Sequence, residues 1–184
     1  MLATLALPRE ARAVDLYATG SIQGGGSAWS LDPNLGAGLR AGVELADVVG
    51  FEGQGRLAYG RVDERMLAAL SVGLRLSAPF DELSPIVPYG RIHLVHQHEE
   101  PIAGMADDVM GSLVGIGDAI RHRGGLEAGL GAVWTFASSD DLAFSATAEG
   151  YVDWFPDSRG PAWYGGAQLG LGLLARLAQQ GHGL

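Results

Sequence analysis

The sequence contains no lysine and no cysteine: its 12 basic residues are all arginine, and charged residues make up only 18% of the chain. A disulfide-free chain is compatible with both a reducing and an oxidising compartment. The net charge of −9 excludes the basic footprint that nucleic-acid binding requires, so no nucleic acid is expected as a partner. Also lacking is any run of 18 or more apolar residues, which excludes a transmembrane helix. What is abundant is glycine, 29 residues in 184, a composition that suits strands better than helices. The length fits a single domain. Residues 1–13 look like the end of a secretory signal, with an apolar stretch at 2–7 followed by Ala11-Arg12-Ala13 as a small-x-small cleavage site. They lack a basic leading region, and an N-terminal arm is the alternative reading.

The informative signal is an alternation of period two over spans of about ten residues, the length of a tilted membrane strand. It occurs eight times between residues 14 and 177. The second strand, for example, sets Leu35, Ala37, Leu39, Ala41 and Val43 against Arg40 and Glu44; the seventh sets Leu142, Phe144, Ala146 and Ala148 against Ser145, Thr147 and Glu149. Apolar residues alone define each register, so the charges test it. Asp15, Arg40, Glu44, Glu52, Arg56, Arg75, Arg91, Glu127, Glu149, Asp153 and Arg176 all fall on the opposite face. An arginine facing lipid at mid-membrane costs roughly 2–4 kcal/mol, and a slip of one residue would expose several.

Two kinds of barrel fit eight such strands. A soluble ligand-binding barrel has an apolar interior and a polar exterior. Here the apolar face is continuous over all eight strands and the other face is charged, which favours a barrel with lipid outside. The expected fold is therefore an all-β, eight-stranded antiparallel up-and-down transmembrane β-barrel over residues 14–177, with a tail at 178–184. The turns at 46–48, 77–85 and 137–141 are short. Those on the other side, at 24–34, 60–65, 98–125 and 155–162, vary more, the outer-membrane habit. Aromatics gather at both ends, Trp29, Tyr59, Trp154, Phe155 and Trp163 at the outer rim and Phe51, Phe80, Trp134, Phe136 and Phe144 at the inner one, like two interfacial girdles.

From Gly124 to Asp153 a glycine-rich strand, a short polar turn and a returning strand follow one another, with Pro88-Tyr89-Gly90 before them and a closing strand from Gln168 to Leu177 after them. This pattern resembles the eight-stranded outer-membrane barrels typified by the OmpA transmembrane domain and OmpX. The resemblance spans residues 14–177 and implies a bacterial outer-membrane location. The implied partners are outer-membrane lipids and lipopolysaccharide, and the barrel-assembly machinery. It implies no catalytic residue and no cofactor. Such barrels usually end on an aromatic residue, whereas here Leu177 closes strand eight and is followed by AQQGHGL.

An eight-stranded barrel leaves an interior only wide enough for side chains. Arginine suits such a lumen because its planar fork can hold two carboxylates. The expectation is an ion-pair network of Arg40, Arg56, Arg75 and Arg91 with Glu44, Glu52, Glu127 and Glu149 that plugs the channel; a gated ion pathway is the competitor. His93, His96, His98, Glu99 and Glu100 cluster at the end of strand five, with Asp107, Asp108, Asp118 and His122 in the following loop. Imidazoles and carboxylates can ligate a divalent ion. Yet His96 and His98 share a face and His93 does not, so no metal is expected, with His96 and His98 the candidates if one binds. A lipid-modifying enzyme would use His96 with Ser112, but no spacing forms a triad. In the 98–125 loop Met105, Val109, Leu113, Ile116 and Ile120 recur at helical spacing, which predicts a short amphipathic helix, interrupted by Gly111, Gly115 and Gly117. An extended hairpin lengthening strands five and six is the alternative. This apolar surface is the expected contact with an envelope partner. The composite expectation is a structural or interaction barrel with a closed lumen that presents this loop, with a small gated pore or a lipid-active enzyme as alternatives.

Overall fold

A computed structural model of the chain describes residues 14–27, 33–45, 48–61, 64–78, 84–107, 110–111, 115–116, 120–139 and 141–177. Eight strands follow in order: β1 (Asp15–Ser27), β2 (Pro33–Leu45), β3 (Val49–Gly60), β4 (Arg65–Ser77), β5 (Ile86–Pro101), β6 (Arg121–Ser138), β7 (Leu142–Trp154) and β8 (Trp163–Arg176). One short helix, α1 (Ile102–Asp107), follows β5. Each strand pairs antiparallel with its sequence neighbours, and β1 pairs with β8, from Asp15↔Arg176 to Ser27↔Tyr164. The result is a closed up-and-down barrel with no free edge. The segments 1–13 and 178–184 lie outside the described residues.

Side-chain direction follows the alternation in the sequence. Leu35, Leu70, Ile92, Leu130 and Leu171 stand on the outer surface, each about two-thirds exposed or more, while Arg40, Glu52, Arg56, Arg75, Arg91, Glu127, Glu149 and Asp153 are buried inside. A β-bulge between Thr135 and Ala137 shifts the β6–β7 register by one residue, and Trp134 and Phe136 both remain exposed on the outside. Among the described residues no helix is long and apolar enough to cross a membrane, which says nothing about a barrel.

Glycine makes the interior possible. The bulkiest inward side chains face a glycine directly across the ladder: Tyr17↔Gly42, Tyr89↔Gly131, Arg91↔Gly129 and Tyr151↔Gly166. A methyl group on any of these glycines would come within 2.6–2.9 Å of the opposing tyrosine ring or guanidinium. Large and small residues therefore alternate around the wall, as a narrow barrel requires.

The strands reach further than the sequence pattern indicated. β5 continues to Pro101 and β6 begins at Arg121, paired through Gln97↔Arg123, His98↔His122 and Glu99↔Arg121. The 98–125 segment is thus not a loop throughout, because both arms of the alternative extended hairpin are formed. Residues 121–125 run beyond the pairing of β6 with β7, which ends at Leu126↔Trp154. The near end of the barrel is the one where β1 starts and β8 finishes, and the far end carries this β5–β6 hairpin.

Candidate functional site: the closed lumen and the far rim

Strands on opposite walls send charged side chains into the middle of the lumen. Arg40 Nη2 donates to Glu149 Oε2 at 2.7 Å, and its Nε lies 3.8 Å from Glu52 Oε1. Arg91 donates to Glu149 Oε1 from Nε at 2.9 Å and from Nη2 at 2.5 Å, and it also binds Glu127. Arg56 holds Glu127 and, at 2.8 Å, Asp153. Each arginine thus meets two carboxylates through its planar fork. Tyr17 donates its hydroxyl hydrogen to Glu52, and Tyr89 donates to Glu149 Oε2 at 2.6 Å. His93 Nε2 lies 3.0 Å from Glu52 Oε1, and its Nδ1 lies 3.1 Å from Ser71 Oγ. Gln168 Nε2 donates to Glu149 Oε1 at 2.6 Å and receives Gln54 Nε2 on its own oxygen at 2.9 Å. The Arg91, Glu127, Glu149, Glu52 and His93 side chains have no exposed surface.

Arg75 and Glu44, expected in the same network, are held differently. Arg75 lies over the rings of Tyr89 at 4.2 Å and Tyr17 at 5.2 Å, and Glu44 Oε1 accepts from Ser77 Oγ at 2.6 Å. Tyrosine faces take the place of carboxylates around this guanidinium. Arg176, expected on the charged face, is exposed at the end of β8, where its Nη1 reaches the Ser139 carbonyl at 3.5 Å.

A second closure occupies the far end. Arg123 is wholly buried: Nη1 donates to Glu99 Oε1 at 3.0 Å, Nε to Asp157 Oδ1 at 3.1 Å and Nη2 to the Pro161 carbonyl at 2.9 Å. Glu99 also receives Arg121 Nη1 at 3.1 Å, Gln97 Nε2 at 2.8 Å and the Tyr164 hydroxyl at 3.0 Å. Slight burial works against the charge of Asp157, but the Arg159 backbone N–H and the Arg123 guanidinium together hold its carboxyl below the usual carboxylate range. Phe155 corrects the girdle expectation. It turns inward with no exposed surface, packs with Ala69, Val95 and Tyr164, and carries Arg123 over its ring at 4.5 Å. Between the two closures lies a cavity of about 20 Å³ bordered by Gln23, Arg56, Gln97, Tyr151 and Asp153, room for about one water.

By sequence, Glu99 falls in the histidine cluster at the end of strand five and Arg123 in the 98–125 loop, while Asp157 in the segment after β7 and Tyr164 at the start of β8 are assigned to no site. The signal was present, since the inward parity of Arg91, His93 and Gln97 continues to Glu99, and that of Glu127 runs back through Gly125 to Arg123.

On the outside, Tyr59, Trp154 and Trp163 stand at the far end, the two tryptophans 6.1 Å apart, with Phe51, Phe144, Trp134 and Phe136 near the other. Trp29 and Phe80 lie outside the described residues. The predicted amphipathic helix does not run on to Ile120. Helical backbone is described at Ile102–Asp107 (α1) and again at Met110 and Gly111, and Gly115 adopts a left-handed backbone (φ 75°) beside a bond from Ile116 N to the Gly111 carbonyl at 2.8 Å, the closure that terminates a helical turn. Ile116 and Ile120 therefore do not share a helix with Met105. Ile102, Met110 and Ile116 are exposed and Ile120 is half-buried, while Val109, Leu113 and the Met105 side chain lie outside the described residues. His96, His98 and His122 come together on the outward face of the hairpin, and His93 is inside.

A closed, eight-stranded antiparallel barrel with a bare apolar exterior and a charged, filled interior is the fold of the small outer-membrane β-barrels. Neisserial surface protein A has it, with 15% sequence identity and a TM-score of 0.58 over 89% of this chain and 97% of that one. So does Ail, the attachment invasion locus protein of Yersinia pestis, at 13% identity and a TM-score of 0.55 over 90% and 99% of the two chains. The outer membrane protein OprG from Pseudomonas aeruginosa superimposes at 12% identity and a TM-score of 0.52 over 91% and 98%. No family model and no curated protein matches the sequence.

Proposed function

We propose that the chain is a structural or interaction barrel of a bacterial outer membrane, a closed scaffold that presents its far-end hairpin to an envelope partner. The observation that carries this reading is the inverted barrel: side chains such as Arg91 and Glu127 sealed inside, and leucines such as Leu35, Leu130 and Leu171 bare outside. In water such an exterior would be an aggregation surface; in a bilayer it is solvated by lipid, and the closed ladder leaves no free strand edge. The aromatic positions at both ends suit the two interfaces, the outer one bordered by lipopolysaccharide. Assembly falls to the barrel-assembly machinery, which would meet Leu177 rather than an aromatic at the close of β8. Exposed Ile102, Met110 and Ile116 are the apolar positions offered to a partner. A lipid-active role for His96 is not favoured, because His96 shares its place with two other imidazoles; Ser112 lies outside the described residues.

Fractionation with outer membranes and heat-modifiable migration in gels are expected, and a soluble protein would overturn the location. In planar bilayers the filled lumen predicts no steady conductance; sustained open events would replace the scaffold by a gated pore. Pull-downs with and without residues 102–120 test presentation, and partners that stay bound after deletion would remove the hairpin from that role.

A further inference from the structure

We propose that His96, His98 and His122 form a binding site for one divalent transition-metal ion, zinc in the first instance, on the outward face of the far rim. The inference depends on the hairpin geometry and not on the function proposed above. Residues two apart on a strand share a face, which aligns His96 with His98. The β5–β6 register then sets His122 directly opposite His98. Opposite His96 stands Gly124, where even an added methyl group would meet nothing within 4 Å, so the space beside the His96 ring is open.

The donor atoms of the three rings lie within 4.8 Å of one another. His122 Nδ1 and His96 Nε2 are 3.5 Å apart. A tetrahedral zinc with Zn–N bonds of about 2.0–2.1 Å requires donor nitrogens roughly 3.4 Å apart, so small side-chain rotations complete the set. The ring planes cross at 89°, 35° and 70°, with centroids 4.5–5.6 Å apart, so no two rings stack face to face. The surrounding chain also fixes one ligand. The buried backbone of Gly115 lies against the His98 ring so closely that a Cβ there would collide with both ring nitrogens, and its φ of 75° is a conformation glycine adopts readily. Three neutral imidazoles select zinc, copper or nickel over calcium and magnesium, which prefer oxygen. They also leave a fourth position open to water or another donor.

Sequence parity on β5 alone supplied only two ligands on one face, His96 and His98, because His93 points inward. The third ligand comes instead from the neighbouring strand, in a segment read as loop.

The test uses untagged protein refolded in detergent, stripped with chelator and titrated with Zn²⁺ by calorimetry and with Co²⁺ by visible absorption. One ion per chain with micromolar or tighter affinity is expected, together with the intense visible bands of a low-coordinate Co²⁺ ion. His98→Ala and His122→Ala are each expected to weaken zinc by about 100-fold or more, a loss at least as large as that for groups supporting a ligand. His182→Ala should leave the affinity unchanged. Heat-modifiable migration of each variant verifies that the barrel has formed. No binding by the wild-type chain, binding that persists in the triple His96→Ala/His98→Ala/His122→Ala variant, or binding that follows His182 would each overturn the site.

Discussion

The middle of the lumen and its far rim are built from the same alternation of side chains, but they are sealed by different means. In the middle all eight strands surround the side chains, so Arg40 from β2 and Arg91 from β5 both reach Glu149 on β7, and every partner sits on rigid ladder. At the rim β6 outruns β7, and the circle is completed by the segment after β7. That segment supplies Phe155, Asp157 and the Pro161 carbonyl to Arg123. There the charges also touch solvent: the Arg121 side chain is 30% exposed and that of Asp157 21%. A lost partner in the middle leaves a bare charge fully buried, whereas water can replace one at the exposed rim.

The largest effect separating the two regions should come from Arg91→Ala, which leaves Glu149 and Glu127 short of a cation. A loss of about 3–5 kcal/mol is expected, read from urea unfolding of protein refolded into vesicles; a loss below about 1 kcal/mol would mean that the mid-lumen is wetter than its burial indicates. Next comes a pair of glycine substitutions. Gly166→Ala pushes a methyl group into Tyr151 and should cost about 1–3 kcal/mol, while Gly124→Ala at the rim meets open space and should stay within about 0.5 kcal/mol. Equal effects would dissolve the contrast between a crowded lumen and an open rim.

Arg123→Ala should be milder than Arg91→Ala, about 1–3 kcal/mol, because Glu99 keeps Arg121, Gln97 and Tyr164. Its signature is faster hydrogen exchange within residues 155–162, with the barrel strands still protected. The smallest effect is one of pH. Asp157 has its carboxyl held low in the folded state, so its contribution is fully present above the ordinary aspartate value of about 3.9 and is lost as pH falls through the depressed value. Proteolytic or exchange lability of residues 155–162 should rise between about pH 5 and pH 2 while the mid-lumen holds; no change would show that Asp157 does not secure the segment.

The girdle and the loop show where the sequence was legible and where it was not. Leu35, Phe51 and Trp134 are outside, and Arg40, Glu52 and Glu127 inside, as one strand at a time predicts. Phe155 follows Trp154 and by alternation alone should turn inward, yet its aromatic character suggested the interface. The tertiary structure seats it under Arg123. The helical spacing from Met105 to Ile120 was a pattern that Gly115 interrupts. His93 was visible as an inward residue, but nothing along β5 revealed that Glu52 of β3 would meet it.

The sequence by itself determined that there are eight strands and which face most of their residues occupy. Side-chain direction has a period of two along a strand, and a misplaced charge on the apolar face is costly. The tertiary structure decided the partners. Stagger and closure set Arg40 against Glu149, and the β5–β6 register set His122 against His98. Alternation is a property of one strand, whereas a contact across a lumen or a ladder depends on how far each strand is displaced from the next.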